Sequence, residues 1–265
     1  MALLQVQFYS DILGASTEMN VIMPEIKRRT EMKDPAKEQE LPKVLYLLHG
    51  FGDDQSAWVR RTSVERYAAE QNLAVIMPYA DQSYYCNEVY GKRYWDFVSD
   101  ELPSVVHRFF RISDRPEDTC VAGLSMGGYG AMRLALTYPE RFAAAGSFSG
   151  SVDMVYRVRE MDEAGTRDWN KIFGDMELAG SEIDVMHLMK KNAAAPGKPR
   201  LYVSCGTADF LYPLHRRFVP ALRENGWEVT DYEEKDAVHE WGFWDRQIRS
   251  FIDFIYEEGS IGISQ

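Results

Sequence analysis

Ser125 lies in Gly123-Leu124-Ser125-Met126-Gly127-Gly128, a serine hemmed in by small residues at a spacing suited to covalent chemistry. A serine hydroxyl attacks a carbonyl only when a base takes its proton and a third group orients that base. Of the five histidines, His239 in Asp236-Ala237-Val238-His239-Glu240-Trp241 follows the last strand-like run and precedes the final helix-like run. His107 falls inside a helical pattern, His187 in an irregular stretch and His215 at a helix opening, where structural or surface roles are expected. His49 follows a strand in a glycine-containing loop and is expected to stabilise that loop. Asp209, in Cys205-Gly206-Thr207-Ala208-Asp209, stands directly after a strand-like run, between serine and histidine in the chain. It is the expected carboxylate, with Asp236 as the alternative; the plainer reading of Asp209 is an N-cap for the next helix. Ser…Asp…His is the order a triad takes when its nucleophile sits on a strand-to-helix turn.

Acyl transfer also requires two backbone N–H donors for the oxyanion that forms on the attacked carbonyl. Met126, the residue after the serine, is the first expected donor. The second belongs to the loop Leu47-Leu48-His49-Gly50-Phe51-Gly52-Asp53. There Gly50 and Gly52 let the backbone bend so that the Phe51 amide turns inward, and the Gly52 amide is the alternative.

These groups work only if an ordered scaffold brings them together. Thr119-Cys120-Val121-Ala122 reads as a buried strand, and Gly128 to Tyr138 as a helix with Tyr129, Met132, Leu134, Ala135 and Leu136 on one face. A strand before and a helix after the serine are what separate a nucleophile elbow from an ordinary glycine-rich turn. Leu3 to Tyr9 and Glu18 to Met23, around Leu13-Gly14-Ala15, predict an antiparallel hairpin at a sheet edge. Glu25 to Glu40 predicts a charged surface connection. Strands are expected at Val44–Leu48, Leu73–Met77, Ala143–Phe148, Arg200–Cys205 and Glu228–Tyr232. Helices are expected near Ser63–Gln71, residues 97 to 111 (with Phe97, Val98, Leu102, Val105, Val106 and Phe109 inward), Leu214–Asn225 and Phe243–Tyr256. The fold class is therefore α/β: a mostly parallel sheet with helices on both faces, in one domain over residues 1–265. Residues 152 to 197 interrupt the alternation. Their Met154, Met161, Trp169, Phe173, Met186 and Met189 suit either a cap over the site or a helical excursion with its own small core.

Composition narrows the partners. Thirty basic against 41 acidic residues give a net charge of −11, which disfavours nucleic acid and anionic membranes. No run approaches the roughly 20 apolar residues of a membrane span, and the N-terminus has no basic, apolar leader pattern. Cys86, Cys120 and Cys205, an odd number with two in strand-like runs, are expected to be reduced thiols of a cytoplasmic protein. No H-x-x-x-H or clustered Cys/His spacing calls for a metal. Trp58, Tyr84, Tyr85, Tyr90, Tyr94, Trp95, Trp241 and Trp244 lie near expected strand ends, as core or as stacking surface for sugar or phenolic rings.

Together the stretches Val44 to Gly50, Trp58 with Arg61 to Arg66, Glu101-Leu102-Pro103, Ala122 to Gly130, Phe148-Ser149-Gly150, Cys205 to Tyr212 and His239-Glu240-Trp241 resemble the esterase D-like branch of the α/β-hydrolases. The similarity is strongest to the tributyrin esterase and feruloyl esterase group, and Phe8-Tyr9-Ser10 with Leu13-Gly14 extends it to the N-terminus. It implies a cofactor-free serine carboxylesterase acting on short acyl esters, acetyl or feruloyl esters of plant-derived carbohydrate among them. It also implies Ser125, Asp209 and His239 as triad, Phe51 and Met126 as oxyanion donors, and a homo-oligomer, dimer or tetramer. The Ser-Gly-Leu-Thr-Cys oxyanion loop of the formylglutathione hydrolases is absent, which argues against a thioester substrate. Two rivals share the scaffold: an acyltransferase, in which an acceptor alcohol outcompetes water, and a non-catalytic binding module.

Overall fold

Strand-like and helix-like runs alternate along the chain, and the structure, a computed structural model describing residues 1–25, 41–161 and 167–257, turns them into one layered sheet. β1 (Ala2–Ser10) and β2 (Ala15–Met23) form the edge hairpin, in register from Ala2 opposite Met23 to Ser10 opposite Ala15. The connection expected at 25–40 lies, beyond Glu25, outside the described residues. The chain then runs through β3 (Lys43–Leu48), α1 (Ala57–Arg61), α2 (Val64–Ala69) and β4 (Leu73–Pro78). A continuous helix follows, made of α3 (Tyr94–Asp96), a π-helical turn (Phe97–Glu101) and α4 (Leu102–Phe109). Next come β5 (Thr119–Leu124), α5 (Met126–Thr137) and β6 (Ala144–Phe148). The insertion carries α6 (Met154–Glu160), α7 (Trp169–Phe173) and α8 (Val185–Lys191). The chain closes with β7 (Arg200–Gly206), α9 (Tyr212–Glu224), β8 (Val229–Glu234) and α10 (Trp241–Tyr256).

Among the described residues the sheet has eight strands in the order β1-β2-β4-β3-β5-β6-β7-β8, parallel from β4 to β8. β2 joins β4 antiparallel. The apolar runs are continuous because both faces are covered, and the two-residue period divides each strand between two cores. Val44, Tyr46 and Leu48 face a core built with α4, α5, α8 and α9, whereas Leu45 and Leu47 face one built with α1, α2 and α10. Ala74 and Ile76 fall on the first side, Leu73, Val75 and Met77 on the second.

Three expectations shift. The long helix begins at Tyr94 and widens into a π turn just ahead of Pro103, whose missing N–H and bulky ring disfavour regular helix there. Glu101, in that turn, accepts from the Ser10 hydroxyl and, at 2.7 Å, from the Asp11 amide, so it also pins the edge hairpin. Phe109, expected inward, is 52% exposed with its edge against Phe8. Finally, α5 begins at Met126, two residues ahead of expectation, directly after the serine.

Candidate active site

β5 delivers Ser125 to the carboxyl end of the sheet, at the carboxyl end of the central strands. The chain reverses there at φ 53°, ψ −115°, a conformation a side chain adopts only when its surroundings enforce it. The enforcement is visible in the neighbours. Ser125 N–H donates to the Phe148 carbonyl at 2.9 Å, and its own carbonyl accepts from Ser151 N–H at 3.1 Å. A Cβ on Gly127 would lie 2.4 Å from the Leu48 oxygen and 2.7 Å from the His49 oxygen, both backbone atoms. Helix propensity alone would make Gly127→Ala stabilising by about 0.5–1 kcal/mol. The backbone collision should outweigh this, so a net loss of about 2 kcal/mol is expected in urea unfolding. A stabilised Gly127→Ala would show that the helix start and the 48–50 loop are not in contact.

The other two expected groups arrive from adjacent strand ends. Asp209 follows β7 and is fully buried in its side chain. Its Oδ1 accepts from Leu211 N–H at 2.8 Å, and its Oδ2 accepts from His239 Nδ1–H at 2.8 Å. The opposite ring nitrogen, Nε2, stands 3.1 Å from Ser125 Oγ and accepts a hydrogen bond from its hydroxyl. Partners on both sides assign this tautomer. Asp209 thus closes a local turn on Leu211 and partners His239, while the N-cap of α9 is Leu211 itself, not Asp209. Asp236, the alternative, is exposed at φ 60°, with its amide on Thr207 Oγ1 at 2.9 Å. That bond belongs to a clip between the two loops. Thr207 N–H donates to Glu234, Ala208 N–H donates to Ala237, and a Cβ on Gly206 would meet the Ala237 oxygen at 2.1 Å. The imidazole is further held by rings: Phe210 at 4.7 Å and, edge-on, Trp244 at 4.8 Å. Trp244 is fixed in turn through its indole N–H to Ser149 Oγ at 3.2 Å.

Met126 opens α5, where the first amides have no intrahelical acceptor. Phe51 and Gly52 are the middle of a turn closed by Asp53 N–H to the Gly50 carbonyl at 3.2 Å, with Gly52 at φ 82° as a type II turn requires. His49 secures this loop as expected. Its Nδ1–H donates to the Gly50 carbonyl at 2.8 Å, its Nε2 accepts from Ala80 N–H at 3.0 Å, and its carbonyl accepts from Tyr85 Oη–H at 2.9 Å. Burial lowers the His49 pKa because the bonded ring must stay neutral. Between its folded value and about 6.5 the unfolded chain therefore binds the extra proton, so this contribution is whole above pH 6.5 and declines as pH falls. The stability advantage of wild type over His49→Gln should shrink between pH 7 and 5, by at most about 1.4 kcal/mol per pH unit. Parallel unfolding curves across that range would refute a buried neutral imidazole.

Of the remaining histidines, His107 is exposed. His215 is buried and bonds Asp231 at 2.9 Å. Among the described residues His215, Asp231 and Glu233 group as metal ligands would, but Arg223, Arg216 and Tyr212 already engage the two carboxylates. Cys86, Cys120 and Cys205 are free and buried, and burial pushes the Cys120 thiol up to about 12. Of the loop aromatics, Trp58, Tyr84, Tyr85, Tyr94 and Trp244 are core, while Tyr90 is 66% exposed.

Several residues around Ser125 carry no motif. Ser151 holds the serine carbonyl. Tyr84, at φ 50°, donates its amide to Met126 Sδ at 3.3 Å and lays its ring 5.9 Å from Phe51 and 4.9 Å from Trp169. Arg167 places its guanidinium 4.9 Å from the Phe51 ring centroid. Their only sequence signal is the concentration of aromatics in loops. The α7 segment that brings Trp169 is fastened to the loop after β4: Val89 and Tyr90 amides donate to Ile172 and Lys171 carbonyls, and Lys171 Nζ pairs with buried Glu88 at 2.9 Å.

A serine on a strand-to-helix turn of a mostly parallel sheet defines a serine hydrolase with the α/β-hydrolase fold. More narrowly, residues 12–251 match the Esterase family model, and the chain belongs to that family. It is a carboxylic ester hydrolase. An acetyl esterase of Caldicellulosiruptor saccharolyticus is 30% identical over 264 residues, covering 96% of this chain and 98% of the relative. FphF, a fluorophosphonate-binding serine hydrolase of Staphylococcus aureus solved with substrate bound, superposes with a TM-score of 0.84 at 32% identity, covering 97% of this chain and 99% of that one. An S-formylglutathione hydrolase (FrmB) of Staphylococcus aureus superposes at 0.79, also 32% identical, over 96% of this chain and 98% of its own. Among the described residues no helix is long and apolar enough to cross a membrane.

Proposed function

We propose that Ser125 is the nucleophile of a short-acyl oxygen-ester hydrolase, with His239 as general base, Asp209 orienting the imidazole, and the Met126 and Phe51 amides binding the oxyanion. What carries this reading is the hydrogen-bonded line from Ser125 through His239 to Asp209, at 3.1 and 2.8 Å. As Ser125 Oγ attacks the ester carbonyl, its proton passes to His239 Nε2, and Asp209 offsets the positive charge that develops on the ring. The imidazolium then gives that proton to the departing alcohol. Water, activated by the same nitrogen, hydrolyses the acyl-enzyme. Each oxyanion donor is worth about 2.7–4 kcal/mol of barrier.

A short acyl group is the best fit because Phe51, Tyr84 and Trp169 form an aromatic wall beside a serine that is only 9% exposed. Acetyl and feruloyl esters of carbohydrate are the proposed substrate range, and residues 152–197 the cap of a single domain. On p-nitrophenyl esters from acetate to decanoate, kcat/KM should peak at acetate to butyrate and fall at least tenfold by octanoate. A feruloyl ester and S-formylglutathione complete the series: preferred turnover of the thioester, or a maximum at long chains, would overturn the reading.

A further inference from the structure

Among the described residues Arg167 has no carboxylate partner, and it lies at the edge of the reaction centre. Its Nε is buried with no hydrogen-bond partner. Its guanidinium lies 4.9 Å from the centroid of Phe51, in the proposed oxyanion loop, and 5.9 Å from that of Trp169. Burial raises the Tyr84 phenol, and Arg167, which also hydrogen-bonds that hydroxyl, and Arg157 oppose the rise, so two cations act on one hydroxyl. Among the described residues, three carboxylates of this region are engaged elsewhere. Asp209 holds His239, Asp153 holds Arg217 at 2.8 Å, and Asp168 takes the Lys171 amide at 3.0 Å. A chain of net charge −11 thus holds, beside Phe51, a guanidinium whose Nε lacks an acceptor and which has no carboxylate partner among the described residues.

A buried donor left unpaired costs free energy in the empty enzyme, and that cost is recovered when a ligand supplies the acceptor. A planar guanidinium fits a carboxylate through two parallel N–H···O bonds. Position assigns the charge to one half of the ester. The departing alcohol must lie against His239 Nε2, where Phe210 packs with Arg157 5.9 Å from its ring centroid, whereas the ring that Arg167 covers is Phe51, in the proposed oxyanion loop. We infer that Arg167 forms an anion subsite for a carboxylate at the far end of the acyl group, so that the preferred esters are half-esters of short dicarboxylic acids. This rests on Ser125 being the nucleophile. It adds that the acyl chain is charged.

The test uses ethyl hydrogen glutarate against ethyl 5-methylhexanoate, in which a branched dimethyl end replaces the carboxylate at nearly equal shape. Calorimetric binding to the Ser125→Ala protein requires no turnover, so it is read separately from catalysis. The glutarate half-ester should bind at least tenfold more tightly, and the double variant Ser125→Ala/Arg167→Gln should bind the two alike, with Arg167→Lys in between. In the Ser125-containing enzyme the ratio of kcat/KM for the two esters should follow the same pattern. Equal affinities in Ser125→Ala, or a preference that survives Arg167→Gln, would overturn the subsite. So would a preference for charge in the alcohol half, measured with the acetate ester of 4-hydroxybutanoate against 4-methylpentyl acetate. Selective binding without turnover by wild type would instead overturn the reading of Ser125 and with it the assignment to the acyl half, leaving Arg167 as a carboxylate-binding group only.

Discussion

Replacing Ser125 by alanine is expected to lower kcat on p-nitrophenyl acetate by about 10⁶-fold, to the rate left by transition-state binding alone. The loss is large because the proposed attack needs an oxygen at the end of β5, and Met126, the next residue, carries no hydroxyl. Within such a unit the losses do not add. His239→Ala should therefore cost nearly as much alone, and the double variant scarcely more than either. Alanine occupies the same strained turn at φ 53°, held by the Ser125 amide and carbonyl bonds to Phe148 and Ser151, so thermal melting should move little. Residual esterase activity within a hundredfold of wild type would remove Ser125 from the mechanism.

Asp209→Asn should cost about 10⁴-fold in kcat while leaving the shape of the site intact. The reason lies in the two bonds of this carboxyl. Oδ1 takes the Leu211 amide and Oδ2 takes His239 Nδ1–H, so both positions need acceptors. An asparagine supplies one oxygen and one NH₂. If the oxygen stays on the Leu211 amide, the NH₂ faces Nδ1 and drives the ring into the tautomer whose Nε2 carries the proton. That nitrogen then cannot accept from Ser125. The defect should ease as pH rises and hydroxide substitutes for the lost base, whereas an Asp236→Asn control should stay within about twofold of wild type, because that carboxylate is exposed and away from the ring. A larger loss from Asp236→Asn than from Asp209→Asn would reverse the assignment.

The residues legible from the chain alone are those whose positions follow from the ends of regular elements. Ser125 sits between a buried strand and a helix, Asp209 directly after a strand, and His239 between a strand and a helix, so identifying the elements identified the candidates. The hairpin and the six parallel strands were legible for the same reason, their apolar runs being long enough to declare a period. What escaped was set by tertiary contact, by a break in a regular pattern or by shortness. The early start of α5 follows from the backbone angles of Ser125, which local sequence does not encode. The π turn follows from a proline inside an otherwise regular pattern. Tyr84 adopts φ 50° without the glycine that usually announces it. Its role, with those of Ser151 and Arg167, is created by packing between segments far apart in sequence, where no spacing rule applies. α1, only five residues long, is shorter than any period that would reveal it.

The clip between the loops after β7 and β8 has a consequence for how such enzymes can be recombined. Thr207 is bonded at its amide to Glu234 and at its hydroxyl to Asp236, while Ala208 is bonded to Ala237. Asp209 and His239 therefore ride on one physical piece, although 30 residues separate them in the chain. A chimera joined between β7 and β8 would pair one parent's Asp209 loop with the other parent's His239 loop across a contact that leaves Gly206 no room for a side chain. Crossovers placed before β7 or within α10 keep that piece whole, and gene-shuffled libraries should recover active offspring from those junctions and few from between them.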